Sequence, residues 1–125
     1  MKAKLLLTVT AVLEGATGLA LLAMPSSAVT LLLGEGLEAP PAVVVGRVAG
    51  AALVAIGVSC GVESKRMVST QRTSLVLGLL VYNVAVPLLL IGAVFNAGLQ
   101  GLVLWPASVA HSALAVWCVA CLRER

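Results

Sequence analysis

Residues 73–95 read TSLVLGLLVYNVAVPLLLIGAVF, a run without one charged side chain. At about 1.5 Å per residue a helix of that length crosses a hydrocarbon layer about 30 Å thick. Arg72 stops the run on one side and Asn96-Ala97-Gly98 on the other. Three more runs of the same kind accompany it in the chain. Residues 5–24 follow the basic opening Met1-Lys2-Ala3-Lys4 and close at Pro25-Ser26-Ser27. Residues 42–62 begin behind Pro40-Pro41, where proline suits a first helical turn because the N–H it lacks would be unpaired there anyway. Residues 102–122 lie between Gly101 and Leu122-Arg123-Glu124-Arg125. In lipid every backbone polar group must be paired internally, which a helix achieves alone and strands achieve only in a closed barrel; these runs lack the alternation a barrel strand shows. The expected fold is therefore all-α, a single four-helix transmembrane bundle over residues 1–125.

Composition leads to the same class. With 61% hydrophobic and 10% charged residues, and a mean hydropathy of +1.13, the chain lacks the polar side chains to clothe a water-facing surface. Its expected partner is the lipid bilayer. The sequence pI near 9.1 would suggest nucleic acid in a soluble protein. Here Lys2, Lys4, Lys65, Arg66, Arg72, Arg123 and Arg125 fall at the N-terminus, the second connection and the C-terminus, all on one side of a four-span topology. Basic residues are retained on the cytoplasmic side, so the reading is both termini cytoplasmic, in a bacterial inner membrane, with no nucleic-acid partner. Glu35 and Glu38 lie in the opposite loop, whose stretch from Pro25 to Leu33 is expected to form a short interfacial helix with Ser26 or Ser27 as its cap. The opening also scans as a signal peptide with Ser26-Ser27-Ala28 as its cleavage site. Against that, Glu14-Gly15 interrupts the apolar centre, and the run exceeds the usual core of roughly 7 to 15 residues.

Lipid tails are as apolar as leucine, so spans associate by close packing of small residues and by interhelical hydrogen bonds. Gly46 with Gly50, and Gly57 with Gly61, form two small-xxx-small pairs in the second span. Thr10, Glu14, Thr17 and Gly18 share a stripe of the first span, and Ser108, His111, Ala115 and Cys118 one of the fourth; both are expected to face inward. Pro87 has no N–H to donate to the Asn83 carbonyl, so a kink is expected there.

Polar groups at membrane depth are costly, which makes their placement the main functional signal. Counting about 1.5 Å per residue from the basic flanks puts Glu14 about 15 Å above Lys4, Asn83 about 16 Å above Arg72 and His111 about 18 Å above Arg123, all near the midplane. Tyr82 shares that depth but points about 100° away from Asn83. Arg47 lies about 27 Å above Lys65, near the outer boundary, from where it reaches either the headgroups or down toward Glu14. Glu14, Arg47, Tyr82, Asn83 and His111 are thus the candidate buried polar site. One use is a relay in which Glu14 and His111 pass a proton or hold a small cationic solute, with Tyr82 and Asn83 hydrogen-bonding and Arg47 gating the outer mouth. The other is structural, with paired side chains fastening helices at about 1 kcal/mol per bond. Cys60, Cys118 and Cys121 lie at similar depth near the basic end, in a reducing compartment that disfavours a disulfide. A thiolate site for a soft metal is conceivable there, but cysteine is also a small apolar packing residue, and no histidine or acid accompanies the three. The sequence calls for no metal and no cofactor, and it holds no phosphate loop on a strand and no nucleophile in a motif context.

The stretch Gly46-Arg47-Val48-Ala49-Gly50-Ala51-Ala52-Leu53, the Tyr82-Asn83 pair, and Leu104-Trp105-Pro106 followed by His111 and Trp117 resemble small four-span bacterial integral membrane proteins. That likeness implies the bundle and brings no activity with it. The chain is also weakly similar to the small multidrug resistance transporters in length, span number and a glutamate in the first span, where Glu14 stands. It departs from them in Arg47, in His111 and in its scarcity of aromatic residues. The functional expectation is a non-enzymatic membrane protein, a homo-oligomer or an accessory subunit of a larger membrane complex; the alternative is a dimeric proton-coupled solute transporter using Glu14 and His111.

Overall fold

The computed structural model describes residues 2–66 and 71–123. Arg125, one of the seven flanking basic residues, lies outside them, as does Glu124. The described chain is helical, in the order α1 (Lys2–Ala23), α2 (Pro25–Leu33), α3 (Pro40–Ser64), α4 (Gln71–Ala97) and α5 (Leu104–Arg123). The four long helices are each long and apolar enough to cross a membrane. They match the four expected spans to within one to three residues at each end: flanking residues lengthen most ends, whereas Met24 falls outside α1 and Leu102-Val103 outside α5.

α1 packs most extensively against α3, and α4 against α5. The α1–α3 pair is antiparallel and is set by glycine. A Cβ on Gly18 would stand 2.6 Å from the Gly50 carbonyl oxygen, one on Gly50 2.8 Å from the Gly18 carbonyl oxygen, and one on Gly57 2.9 Å from the Gly15 nitrogen. No side chain fits between these backbones, so the small-residue stripe of α3 is consumed within the chain rather than left for a partner. α1 then also touches α5, linking the two pairs.

The core lies toward the end that carries both termini. Leu6 and Leu7 of α1, Cys60 of α3, Val76 and Leu79 of α4, and Leu114, Cys118 and Cys121 of α5 form one buried cluster. α2 closes the opposite end, touching α1, α3 and α5. The short helix is present at the expected residues, but its start differs from expectation. Met24 is the N-cap and makes no side-chain cap bond; Pro25 opens the helix, and the Ser26 hydroxyl instead accepts the Leu37 N–H at 3.0 Å. Ser26 therefore ties down the α2–α3 connection. Gly34, at φ +87°, ends α2 in the left-handed conformation while its N–H donates to the Thr30 carbonyl at 2.8 Å. The Val103 N–H donates to the Leu31 carbonyl at 2.9 Å, fixing the α4–α5 connection on this cap. α4 runs unbroken through the buried Pro87.

Candidate functional site

The inward stripe of α1 is Thr10, Glu14 and Gly18, all buried, with Leu6 and Leu7 below. Thr17, expected on that stripe, is exposed, because the arc that meets α3 and α5 is centred on the i, i+4 series through Gly18. On α5 the expected stripe holds: Ser108, Ala115 and Cys118 are buried and His111 is half-buried. Ser108 satisfies itself by donating to the Leu104 carbonyl at 2.9 Å.

At the middle of the bundle three helices bring polar side chains together. The Tyr82 hydroxyl of α4 donates to Oε2 of Glu14 on α1 at 3.1 Å. Asn83, the next residue, turns to α5, where its Oδ1 lies 2.7 Å from Nδ1 of His111. The 100° between Tyr82 and Asn83 is what lets one helix reach two neighbours. The Tyr82 and His111 rings close the gap edge-on, with centroids 5.4 Å apart and an interplanar angle of 83°. Glu14 is 3% exposed and Asn83 fully buried.

Hydrogen positions follow from this network. The Asn83 Nδ2 donates to the Leu79 carbonyl at 2.8 Å, which turns Oδ1 toward His111. An amide oxygen only accepts, so the neutral imidazole carries its hydrogen on Nδ1 and its lone pair on Nε2. Thr10, one turn from Glu14, is fully buried, and its hydroxyl has no hydrogen-bond partner among the described residues.

Glu14, Tyr82, Asn83 and His111 therefore form one layer, and Arg47 does not belong to it. Arg47 is exposed, and no ion pair joins it to Glu14 among the described residues. Gly46 faces inward, against Leu37 and Pro25, so Arg47 is turned about 100° away from that seam. It is also displaced along the bundle, since Gly57, not Gly46, is level with Gly15, and ten residues of helix are about 15 Å. Cys60, Cys118 and Cys121 are buried in the apolar core, and no disulfide joins them. Among the described residues no three His, Cys, Asp or Glu side chains converge as metal ligands.

A charged group at the basic end escaped sequence reading. Glu63 is only 5% exposed and stands 3.7 Å from both Arg66 and Arg72, and the Arg72 Nη2 also donates to the Arg66 carbonyl at 2.7 Å. In the sequence both arginines read as topology signals alone. The signal available was the i, i+3 spacing of Glu63 and Arg66 at a helix end. The cluster fastens the end of α3 to the start of α4.

Comparison of the chain with protein-family models, with curated proteins and with solved structures finds no match.

Proposed function

We propose that this small polytopic membrane protein is non-enzymatic, a self-associating bundle or an accessory subunit of a larger complex in the bacterial inner membrane, with both termini in the cytoplasm. The observation that carries this reading is the mutual pairing of the polar layer. Tyr82 bonds Glu14 and His111 meets Asn83, so polar groups on three helices are occupied with one another inside the bundle. A layer of that kind joins helices. Meanwhile long apolar side chains point outward, among them Val44, Val45 and Val48 of α3 and Val81, Leu88 and Leu89 of α4, offering surface to lipid or to another span. In membranes solubilised in mild detergent, Glu14→Gln or His111→Ala should alter the size of the complex or the yield of folded protein. Solute flux driven by a pH gradient in reconstituted vesicles, present in the natural protein and lost in Glu14→Gln, would overturn the proposal.

The second reading is the dimeric proton-coupled transporter. It is favoured by the lone pair on His111 Nε2 and by the unpartnered Thr10 hydroxyl one turn from Glu14, both of which could take part in proton passage. The same vesicle experiment discriminates the two: gradient-driven flux abolished by both Glu14→Gln and His111→Ala would establish transport, and equal leak in all three proteins would dismiss it.

A further inference from the structure

Thr10 departs from the way hydroxyls are satisfied elsewhere in these helices. Thr8, Thr30, Ser59, Ser108 and Ser112 each donate to the carbonyl four residues back, at 2.8 to 3.0 Å. The Leu6 carbonyl stands in the same relation to Thr10, yet the Thr10 hydroxyl has no hydrogen-bond partner among the described residues. A hydroxyl lying over the preceding turn would bond its carbonyls, so this one is turned off its own helix. Thr10 is also fully buried, inside a span where lipid supplies no hydrogen bond. An unmatched hydroxyl in that setting is costly, and the rotamer that creates it forgoes the bond that Thr8 makes.

The neighbour that can use this hydroxyl is Glu14. The two residues are i and i+4 on the buried stripe of α1, with Cβ atoms about 5–6 Å apart. Helical side chains lean toward the N-terminus, which brings the Glu14 carboxyl over Thr10. Tyr82 donates to Oε2, and Oε1 keeps its hydrogen-bonding capacity. We propose that the Thr10 hydroxyl and Oε1 of Glu14 together bind one buried water molecule, which bridges them. A water both donates and accepts, so it serves the carboxyl oxygen in either protonation state. The number of oxygens selects this occupant. Two side-chain oxygens suit a water, which takes about two to four partners, and are too few for a hard metal ion, which takes about six. Bound there, the water carries the polar layer one helical turn toward the end that holds both termini. The site stands whether the layer passes protons or only joins helices.

The test uses the full chain, carrying isotopically labelled threonine, in liposomes of deuterated lipid. Solid-state NMR transfers polarisation from water protons to the threonine side chains. A cross-peak between water and Thr10 is expected, assigned by its disappearance in Thr10→Val. Thr17, exposed on the outward face of the same helix, should show none. Replacing the sodium of the buffer by N-methylglucamine should leave the Thr10 cross-peak in place. Thr10→Val keeps the shape of the side chain, and loss of the water bridge should raise the unfolding constant in mixed micelles about fivefold. A bare hydroxyl gives the opposite sign, because valine would then remove an unmatched polar group and stabilise the protein. Lack of a water cross-peak at Thr10, an equal one at Thr17, its loss without sodium, or a stabilised Thr10→Val would each overturn the site.

Discussion

The α1–α3 seam and the polar layer across α1, α4 and α5 join helices by opposite means. In the first, glycines bring backbones so close that Gly18 and Gly50 leave no space for a methyl group. In the second, Tyr82 and His111 span the gaps with side-chain contacts at 3.1 Å to Glu14 and 2.7 Å to Asn83. Backbone contact has one geometry and fails abruptly when a side chain intrudes. A side-chain bond in a membrane is worth about 0.6 kcal/mol on average, and it can be exchanged without moving a helix. The pair α1–α3 is thus the fixed unit, and the Tyr82–Glu14 bond of the layer is the adjustable joint between that unit and α4–α5, within which Asn83 and His111 meet.

The largest effect is expected at the fixed seam. Gly50→Leu places atoms into the Gly18 carbonyl and the Leu21 side chain, and should lower stability by about 3 kcal/mol or more, read from dodecyl sulfate unfolding in mixed micelles. Gly61→Ala is its control. The added methyl would meet only Ala11 Cβ at an ordinary 3.7 Å, and the change should stay within about 0.5 kcal/mol. If both substitutions were equally harmless, glycine would not be what holds α1 to α3.

Asn83→Ala comes next, at about 2 kcal/mol, because it removes the bond to His111 and leaves unfilled space at a fully buried position. The same unfolding titration measures it. A loss below about 0.5 kcal/mol would mean that the Asn83–His111 contact does little to hold α4 against α5.

The two regions were not equally legible in the sequence. Hydrophobic length alone placed the four spans, and the glycine spacing on residues 46–61 announced a close helix contact, since both signals live within one segment. That Gly50 meets Gly18 and Gly57 meets Gly15 could not be read, because the choice of neighbour depends on how all the helices pack. Depth counting put Glu14, Asn83 and His111 at one level, and the structure joins them with Tyr82 at that level. Depth counting also put Arg47 near the outer boundary, but left open whether it reaches the headgroups or Glu14. A count along the helix gives height but not which way a residue faces once a particular stripe has been taken up by packing. Glu63 was overlooked because its partners lie partly beyond a chain reversal, where spacing along a single helix no longer applies.

Tyr82→Phe should cost less than Asn83→Ala, about 0.6 kcal/mol, since it deletes one hydroxyl and keeps the ring against His111. Paired with Glu14→Gln in a double-mutant cycle, it should show that the two changes are not additive, as expected for residues in contact. Additive losses would place the Glu14 contribution elsewhere in the bundle.

The smallest effect is expected at Arg47, and it decides whether the joint has a charged member. Arg47→Ala should change unfolding by no more than about 0.5 kcal/mol, as for an exposed side chain with no ion pair among the described residues. Were Arg47 the counter-ion of Glu14, its removal would strand a buried charge and cost about 3–5 kcal/mol. The two outcomes differ several-fold, so one unfolding curve separates them. A small loss in Arg47→Ala alongside a non-additive Tyr82–Glu14 cycle would leave the joint to Tyr82 and Glu14. It would also leave Arg47 as a surface charge near the α2 end, free to meet headgroups there.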